Sequence, residues 1–518
     1  MIQTDLIAPI GQILKRHAAQ RPEKLAFEDY LGKRINYSQL ADQSSSLAIQ
    51  LQELGMNEGD RVAILLPNSV DWVLSCLSIV RAGLVCVPIS HDSVEAEIFY
   101  RLDDAECKAI VVSSHQLNLI KRICHDLPKL CHIIVADEQL DPDVLSLPSL
   151  CKKNNSGKPR DVSDIKALSF LVYTSGTTGR AKGVMLSQHS MLWVTAACWA
   201  PIAGLCEEDV VLSPLPLYHS YALNFSVLSV TAVGATEYLM EKYSTQEVLR
   251  QLNRNCFTLM PGVPTMFHYL LEGIKDSGPP QFSGIRYFLS AGAIMPAALN
   301  REFESVFGVP LLDGYGITET STMVTMNWPG NTRVYGSCGL PLPGLATRIV
   351  NLQGKDVDFG EEGELIIRGP NVMLGYLNKP HDSASALKDG WYRTGDLAKS
   401  NENGFLTITG RLKELIIRGG QNIAPAEIED TVLKHPDVLD CAAIGFPHPH
   451  LGEVPVVCVI PRQGVDLDLD GLRNHCAKLL SPYKVPHKFH VMDSIPRTGS
   501  GKIMRFQLRA ALGNESIT

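Results

Sequence analysis

Apolar and polar positions along this chain follow two rhythms, and the two rhythms take turns. Leu40, Leu47, Leu51 and Leu54 fall on one face of a helical pattern that Ser38 precedes and Gly55 ends. Residues 61–66 then read as a strand stopped by Pro67. A second helix and strand run from Ser69 to 85–87, and 109–112 and 133–136 are further short apolar strands with helical sequence between them. Residues 151–164 are polar and aperiodic, which predicts a connecting loop. Beyond it 167–172 and 210–212 predict buried strands, and 221–235 a buried helix. Ser244-Thr245-Gln246-Glu247 has the form of a capping box opening an amphipathic helix, and 257–260, 287–289 and 309–312 are short strands. Repeated strand–helix alternation predicts an α/β fold of parallel sheets flanked by helices, with ligands beyond the carboxyl ends of the strands.

After Val334 the texture changes to a glycine-punctuated β pattern at 347–350, 364–368 and 405–409. Past Arg411 a compact mixed segment follows, with helices at 428–434 and 472–480 and strands at 441–445, 456–460 and 489–492. A chain of 518 residues exceeds one hydrophobic core, so at least two domains are expected. The change of texture places the boundary at 411–413. That gives a large N-terminal domain with a β-rich subdomain, 1–412, and a small α+β C-terminal domain, 413–518.

Composition narrows the class. A net charge of −8 and a pI near 6.0 argue against a general nucleic-acid binder. Thirteen cysteines without a Cys-x-x-Cys pair suit reduced thiols rather than a disulfide frame or a zinc site. Residues 1–16 carry Asp5 and lack a secretory pattern. The apolar stretches 70–89 and 221–235 are interrupted by charge or too short to span a bilayer. The expected setting is the cytoplasm.

The candidate chemistry starts at Tyr173-Thr174-Ser175-Gly176-Thr177-Thr178-Gly179-Arg180-Ala181-Lys182-Gly183, which leaves the 167–172 strand. Its glycines permit close backbone approaches, and its Ser and Thr hydroxyls and two cations can donate to phosphate oxygens. It is not a Walker A loop, and the same composition suits an ordinary polar surface loop. Asp313-Gly314-Tyr315-Gly316-Ile317-Thr318-Glu319 closes a strand and offers an aromatic for a base and polar groups for a phosphate and its Mg²⁺; a simple turn has the same look. Tyr392-Arg393-Thr394-Gly395-Asp396 supplies a carboxylate suited to two vicinal hydroxyls, or else a solvated turn. Arg411, Lys413 and Glu414 crowd charge at the domain boundary, and Pro496 to Lys502 forms a loop that delivers a lysine.

Taken in order, these segments resemble the adenylate-forming superfamily of acyl-CoA synthetases, amino-acid-adenylating domains and luciferases, from Asn36-Tyr37-Ser38-Gln39-Leu40 to Lys502. The resemblance implies a two-step reaction: a carboxylate attacks the α-phosphate of ATP, then a thiol displaces AMP. It makes Thr174, Ser175, Gly176, Thr177, Thr178, Gly179 and Lys182 the loop over the β- and γ-phosphates. Tyr315 and Gly316 would flank adenine, with Asp313 and Gly314 part of the same nucleotide site, Thr318 would bind the α-phosphate and Glu319 the Mg²⁺. Asp396 and Arg411 would hold the ribose. Lys502 would bridge carboxylate and α-phosphate during adenylation, on a C-terminal domain that moves as a lid about a hinge at Lys413. Gly419 and Gly420 would wall a tunnel for the thiol. No Gly-x-Ser-x-Gly elbow occurs, consistent with a mechanism lacking a covalent enzyme nucleophile.

Residues 217–224 resemble the corresponding stretch of 4-coumarate-type and fatty-acyl-CoA ligases. The resemblance sets His219 beside the adenylate and Tyr221 along the acid pocket, with Ala291, Gly292, Gly314, Thr322, Met323 and Val324 lining the rest. No acidic residue lies between His219 and Asn224 to pair an amino group, which disfavours an amino-acid substrate. An aryl or a medium to long acyl carboxylate is expected, with ATP, Mg²⁺ and CoA. Phosphopantetheine on an acyl carrier protein is the alternative acceptor, and a non-catalytic adenylate-binding relative the alternative of another class.

Overall fold

The computed structural model describes the chain apart from residues 138–140, 154–156, 163, 175–180, 276–277, 279, 281–282, 331–332, 498–500 and 514–518. The chain divides into two compact units: residues 1–334 with 339–346 and 368–392, and residues 335–338 with 347–367 and 393–518.

Two sheets organise the first unit. One has the order Leu340–Pro341, Thr325–Met326, Leu311–Tyr315, Tyr287–Ser290, Leu259–Gly262, Val210–Ser213, Thr236–Leu239, Leu25–Asp29, Arg34–Asn36, parallel through its centre and antiparallel at both edges. The other has the order Gly375–Tyr376, Lys182–Ser187, Leu168–Thr174, Val85–Pro88, Arg61–Leu65, Ala109–Val112, His132–Val135, Leu145–Ser146. Side chains alternate across a strand, so each sheet feeds two cores. Val62, Ile64, Cys86 and Phe170 of the second sheet share one core with Val211, Leu259, Leu289 and Leu312 of the first. Their neighbours Ala63, Leu65, Val87 and Leu171 face a second core, and Leu212, Met260, Phe288 and Leu311 a third.

Local structure departs from the sequence expectations in four places. The helix Tyr37–Glu53 is capped by Asn36, not Ser38: Gln39 N–H donates to Asn36 Oδ1 at 2.8 Å, and the Gln39 side chain accepts from Asn36 N–H at 3.0 Å. Ser244 caps its helix, but Glu247 turns to Arg250 and Gln251, so only half of the expected box forms. The segment 151–164 begins inside a helix, Leu147–Lys152, and its Asp161 is gripped by the buried Arg81 at 3.0 Å. Residues 220–233 are helical throughout, but Leu223–Ser229 is wound as a π-helix, opposite a second π segment at Thr195–Trp199.

In the second unit, strands at 347–350, 363–367 and 393–400 lie side by side, with Leu406–Arg411 paired to the last. A further sheet has the order Gln421–Ile423, Ile416–Arg418, Gly452–Pro461, Val438–His448, with Lys488–Val491 parallel to 452–461. Cys441, Ala443, Val457 and Val459 pack on Ile428 and Val432 of one helix and Leu472 of another. Ala442, Ile444, Val456 and Cys458 pack on Leu508 from the opposite face.

Candidate active site

The strand Leu311–Tyr315 is buried, residues 315–319 come to partial exposure, and 320–326 are buried again. Chemistry-bearing side chains are thus presented from a rigid strand end. Gly316 is obligatory: a Cβ there would lie 1.5 Å from the Thr322 carbonyl oxygen. Thr322 has φ +101° and Ser321 φ +51°, conformations that cost energy for residues with a side chain. They are held by the buried Asn371, whose Nδ2 donates to the carbonyls of Thr320 at 3.1 Å and Met323 at 2.7 Å. Thr322 Oγ1 donates to Ser220 O at 2.9 Å, and the Thr318 and Ser220 hydroxyls lie 3.0 Å apart. Thr318 and Thr322 are therefore fastened to the residue that follows His219. Burial pushes the Asp313 carboxyl well above the usual carboxylate range, against the pull of the Ser290 hydroxyl and the Gly314 N–H.

The loop expected to hold phosphate joins two antiparallel strands, Leu168–Thr174 and Lys182–Ser187, with Thr174 opposite Lys182. Ser175, Gly176, Thr177, Thr178 and Gly179 lie outside the described residues. Lys182 Nζ sits 2.7 Å from Asp382 Oδ2 and 5.1 Å from the centre of the Tyr376 ring. The Tyr376 hydroxyl donates to Glu319 Oε1 at 3.0 Å. Burial and the neighbouring Glu319 both push the Tyr376 hydroxyl's pKa up, so it keeps its proton and remains a donor. Tyr376 thus connects the expected phosphate lysine with the expected metal carboxylate. Neither Tyr376 nor Asp382 was legible beforehand; a Gly-Tyr pair at 375–376 like that at 314–315 was the available signal.

His219 precedes the helical turn Ser220–Ala222 and packs against the Tyr218 ring at 4.4 Å. The Tyr221 hydroxyl donates to Leu289 O at 3.2 Å, reaching the end of the Tyr287–Ser290 strand just before Ala291 and Gly292. Met323 and Val324 are fully buried.

The second unit holds the remaining candidates. Asp396 and Arg411 face each other across paired strands, and Arg411 Nε lies 2.9 Å from Asp396 Oδ1. Lys413 is exposed on the turn Leu412–Glu414. Gly419 and Gly420, at φ +55° and +81°, form the two-residue turn of a β-hairpin, a type that requires two left-handed residues. Beside it opens a cavity of about 410 Å³ lined by Arg418, Gly419, Gln421, Leu451, Pro482 and Tyr483. Lys502 is half-exposed between two anchored arginines. Arg497 bonds Asp440 and the Gly501 carbonyl, each at 2.9 Å. Arg505 contacts Glu414 at 3.0 Å and Glu429 at 2.6 Å.

A family model described as AMP-binding enzyme matches residues 14–377, and one described as AMP-binding enzyme C-terminal domain matches residues 427–502. The long-chain-fatty-acid–CoA ligase of Yersinia pestis is 32% identical, over 98% of this chain and 95% of its own length. The sulfoacetate–CoA ligase of Cupriavidus necator is also 32% identical, with 98% of each chain covered. Among solved structures, an anthranilate CoA ligase in complex with anthranoyl-AMP matches with a TM-score of 0.90 at 27% identity, covering 97% of each chain.

Proposed function

The chain belongs to the family of AMP-binding enzymes, and from this premise we propose that it is an ATP-dependent acid–thiol ligase, an AMP-forming acyl-CoA synthetase for an aryl or fatty carboxylic acid. The observation that carries the reading is the connection Lys182–Tyr376–Glu319, a cation and a carboxylate oriented by one phenol near the ends of parallel strands. A polyphosphate with its divalent ion needs that pair of charges.

In the first step a substrate carboxylate oxygen bonds to the α-phosphorus of ATP, and the bond from that phosphorus to the bridging oxygen breaks to release pyrophosphate. In the second the CoA sulfur attacks the acyl carbon, AMP leaves, and the thiol proton passes to water. Such chemistry asks a protein for positioning and charge neutralisation. We assign Lys182, Thr174 and the 175–179 loop to the β- and γ-phosphates, Thr318 to the α-phosphate, Tyr315 and Gly316 to adenine, and Asp313 and Gly314 to the same nucleotide site. Asp396 and Arg411 are assigned to the ribose, and His219 and Tyr221 to the acid. Lys502 serves adenylation, and Lys413 the hand-over to thioester formation with Gly419 and Gly420 beside the thiol.

Glu319, oriented by the Tyr376 hydroxyl, would hold Mg²⁺ as a single carboxylate, the kind of protein ligand a phosphate-bound magnesium takes. The ion would neutralise phosphate charge. The thirteen free cysteines support a reducing, cytoplasmic setting, and no helix among the described residues is long and apolar enough to cross a membrane.

The test is acid-dependent release of AMP and pyrophosphate by the purified protein, with CoA and with an acyl carrier protein in parallel. AMP and acyl-CoA appearing together support the reading. Silence across aryl and acyl acids overturns it, and turnover with the carrier protein alone moves the acceptor.

A further inference from the structure

The two π-helical segments face each other and carry Trp199 and Phe225, whose rings close behind Tyr221. Tyr221 is half-buried, whereas Trp199 and Phe225 behind it are completely buried. The Tyr221 and Trp199 rings are stacked, 5.8 Å apart and 13° from parallel. Phe225 closes edge-on against both, at 4.9 Å from Trp199 and 6.4 Å from Tyr221.

Hydrogen bonds pin the group at each side. Tyr221 donates to Leu289 O, so its ring spans from the 220–233 helix to the end of a strand. Trp199 Nε1 donates to Asn224 Oδ1 at 2.7 Å, and Asn224 Nδ2 donates to Met191 O at 2.8 Å. Asn224 is itself fully buried, so swinging the indole away would leave buried polar atoms unpaired.

Behind the rings the helix packs buried Val227, Leu228 and Val230, with a patch of buried polar groups among them. Ser226 and Ser213 hydroxyls are 2.9 Å apart, Ser229 and Thr195 hydroxyls 2.7 Å apart, and Glu237 is wholly buried next to the serine pair. Burial pushes the Glu237 carboxyl well above its ordinary range, against the pull of Ser226 and Ser213. An alkyl tail driven past the rings would have to displace close-packed side chains, with buried hydroxyls and a carboxyl among them.

We propose that Tyr221, Trp199 and Phe225 form a fixed end wall to the acid pocket, and that the substrate is a compact carboxylic acid, aryl or short acyl, rather than a long-chain fatty acid. This rests on the assignment of Tyr221 to the acid pocket. Tyr221 meets the acid; Trp199 and Phe225 are specificity residues acting through it.

Acids from acetate to palmitate, with benzoate, are compared by kcat/KM for AMP release with CoA. Each methylene that finds apolar surface raises the value several-fold. The series should climb, break off at short chain length, and leave palmitate below benzoate by on the order of 100-fold. Phe225→Ala should raise the octanoate-to-benzoate ratio by roughly tenfold or more, a change that loss of stability alone would not produce. A wild-type maximum at twelve or more carbons overturns the wall while leaving the ligase reading intact. A folded Phe225→Ala variant with an unchanged ratio also overturns it. No AMP from any acid overturns both. If Phe225→Ala does not fold, the wild-type series decides by itself.

Discussion

Tyr376 shows how much of the site depends on a residue without chemistry of its own. Its hydroxyl aims Glu319 and its ring lies under Lys182. Replacing Tyr376 with Phe keeps the ring and removes the donor, which costs about 1 kcal/mol or somewhat more at a charged acceptor. MgATP should bind roughly tenfold more weakly, with a matching rise in the Mg²⁺ needed for half-maximal adenylation; an unchanged Mg²⁺ dependence would separate Tyr376 from the metal carboxylate. Lys502 makes a different claim. Lys502→Ala should slow adenylation on the order of 10²–10³-fold, as the loss of one preorganised charge does, while thioester formation from supplied acyl-adenylate persists. Equal loss in both half-reactions would contradict the assignment. Glu319 and Lys182 could be singled out from the sequence because glycines and hydroxyls crowd around them. Tyr376 could not, since 57 residues separate it from Glu319 and only the fold closes that gap.

At the scale of elements, strands of the parallel sheets were legible because both faces are buried and their apolar runs are nearly unbroken. Pairing was not. The antiparallel return of Lys182–Ser187 on Leu168–Thr174 depends on a register that no local pattern encodes. The Gly419–Gly420 hairpin offers a sharper test. At φ +81° a β-branched side chain is strongly disfavoured, so Gly420→Val should strain the turn by about 1–2 kcal/mol. Acyl-adenylate should still form in a pyrophosphate-exchange assay, and transfer to CoA should drop. A larger loss in exchange than in transfer would remove the hairpin from the thiol path.

Across the molecule, contacts far apart in sequence set its response to its surroundings. His17 on the helix Ile10–Gln20 donates through Nε2 to the Ala232 carbonyl at 3.1 Å, across 215 residues. Its Nδ1 is buried with no partner among the described residues. Burial holds the imidazole's pKa below its ordinary 6.5, and Arg16, Arg21 and Lys24 add to the shift. The unfolded chain therefore binds a proton that the folded chain refuses, so stability is full above about pH 6.5 and is lost as pH falls below it. Between about pH 7.5 and 5.5 the melting temperature should fall further in the wild type than in His17→Gln, and parallel curves would assign the loss elsewhere. The end wall has one more consequence. Trp199 is one of five tryptophans, and its indole is sealed from water against the ring expected to meet the acid. Its emission should be blue and should change when an acid fills the space beyond Tyr221, and Trp199→Phe should abolish that change. The protein would then carry its own optical gauge of acid occupancy, readable without ATP, CoA or turnover.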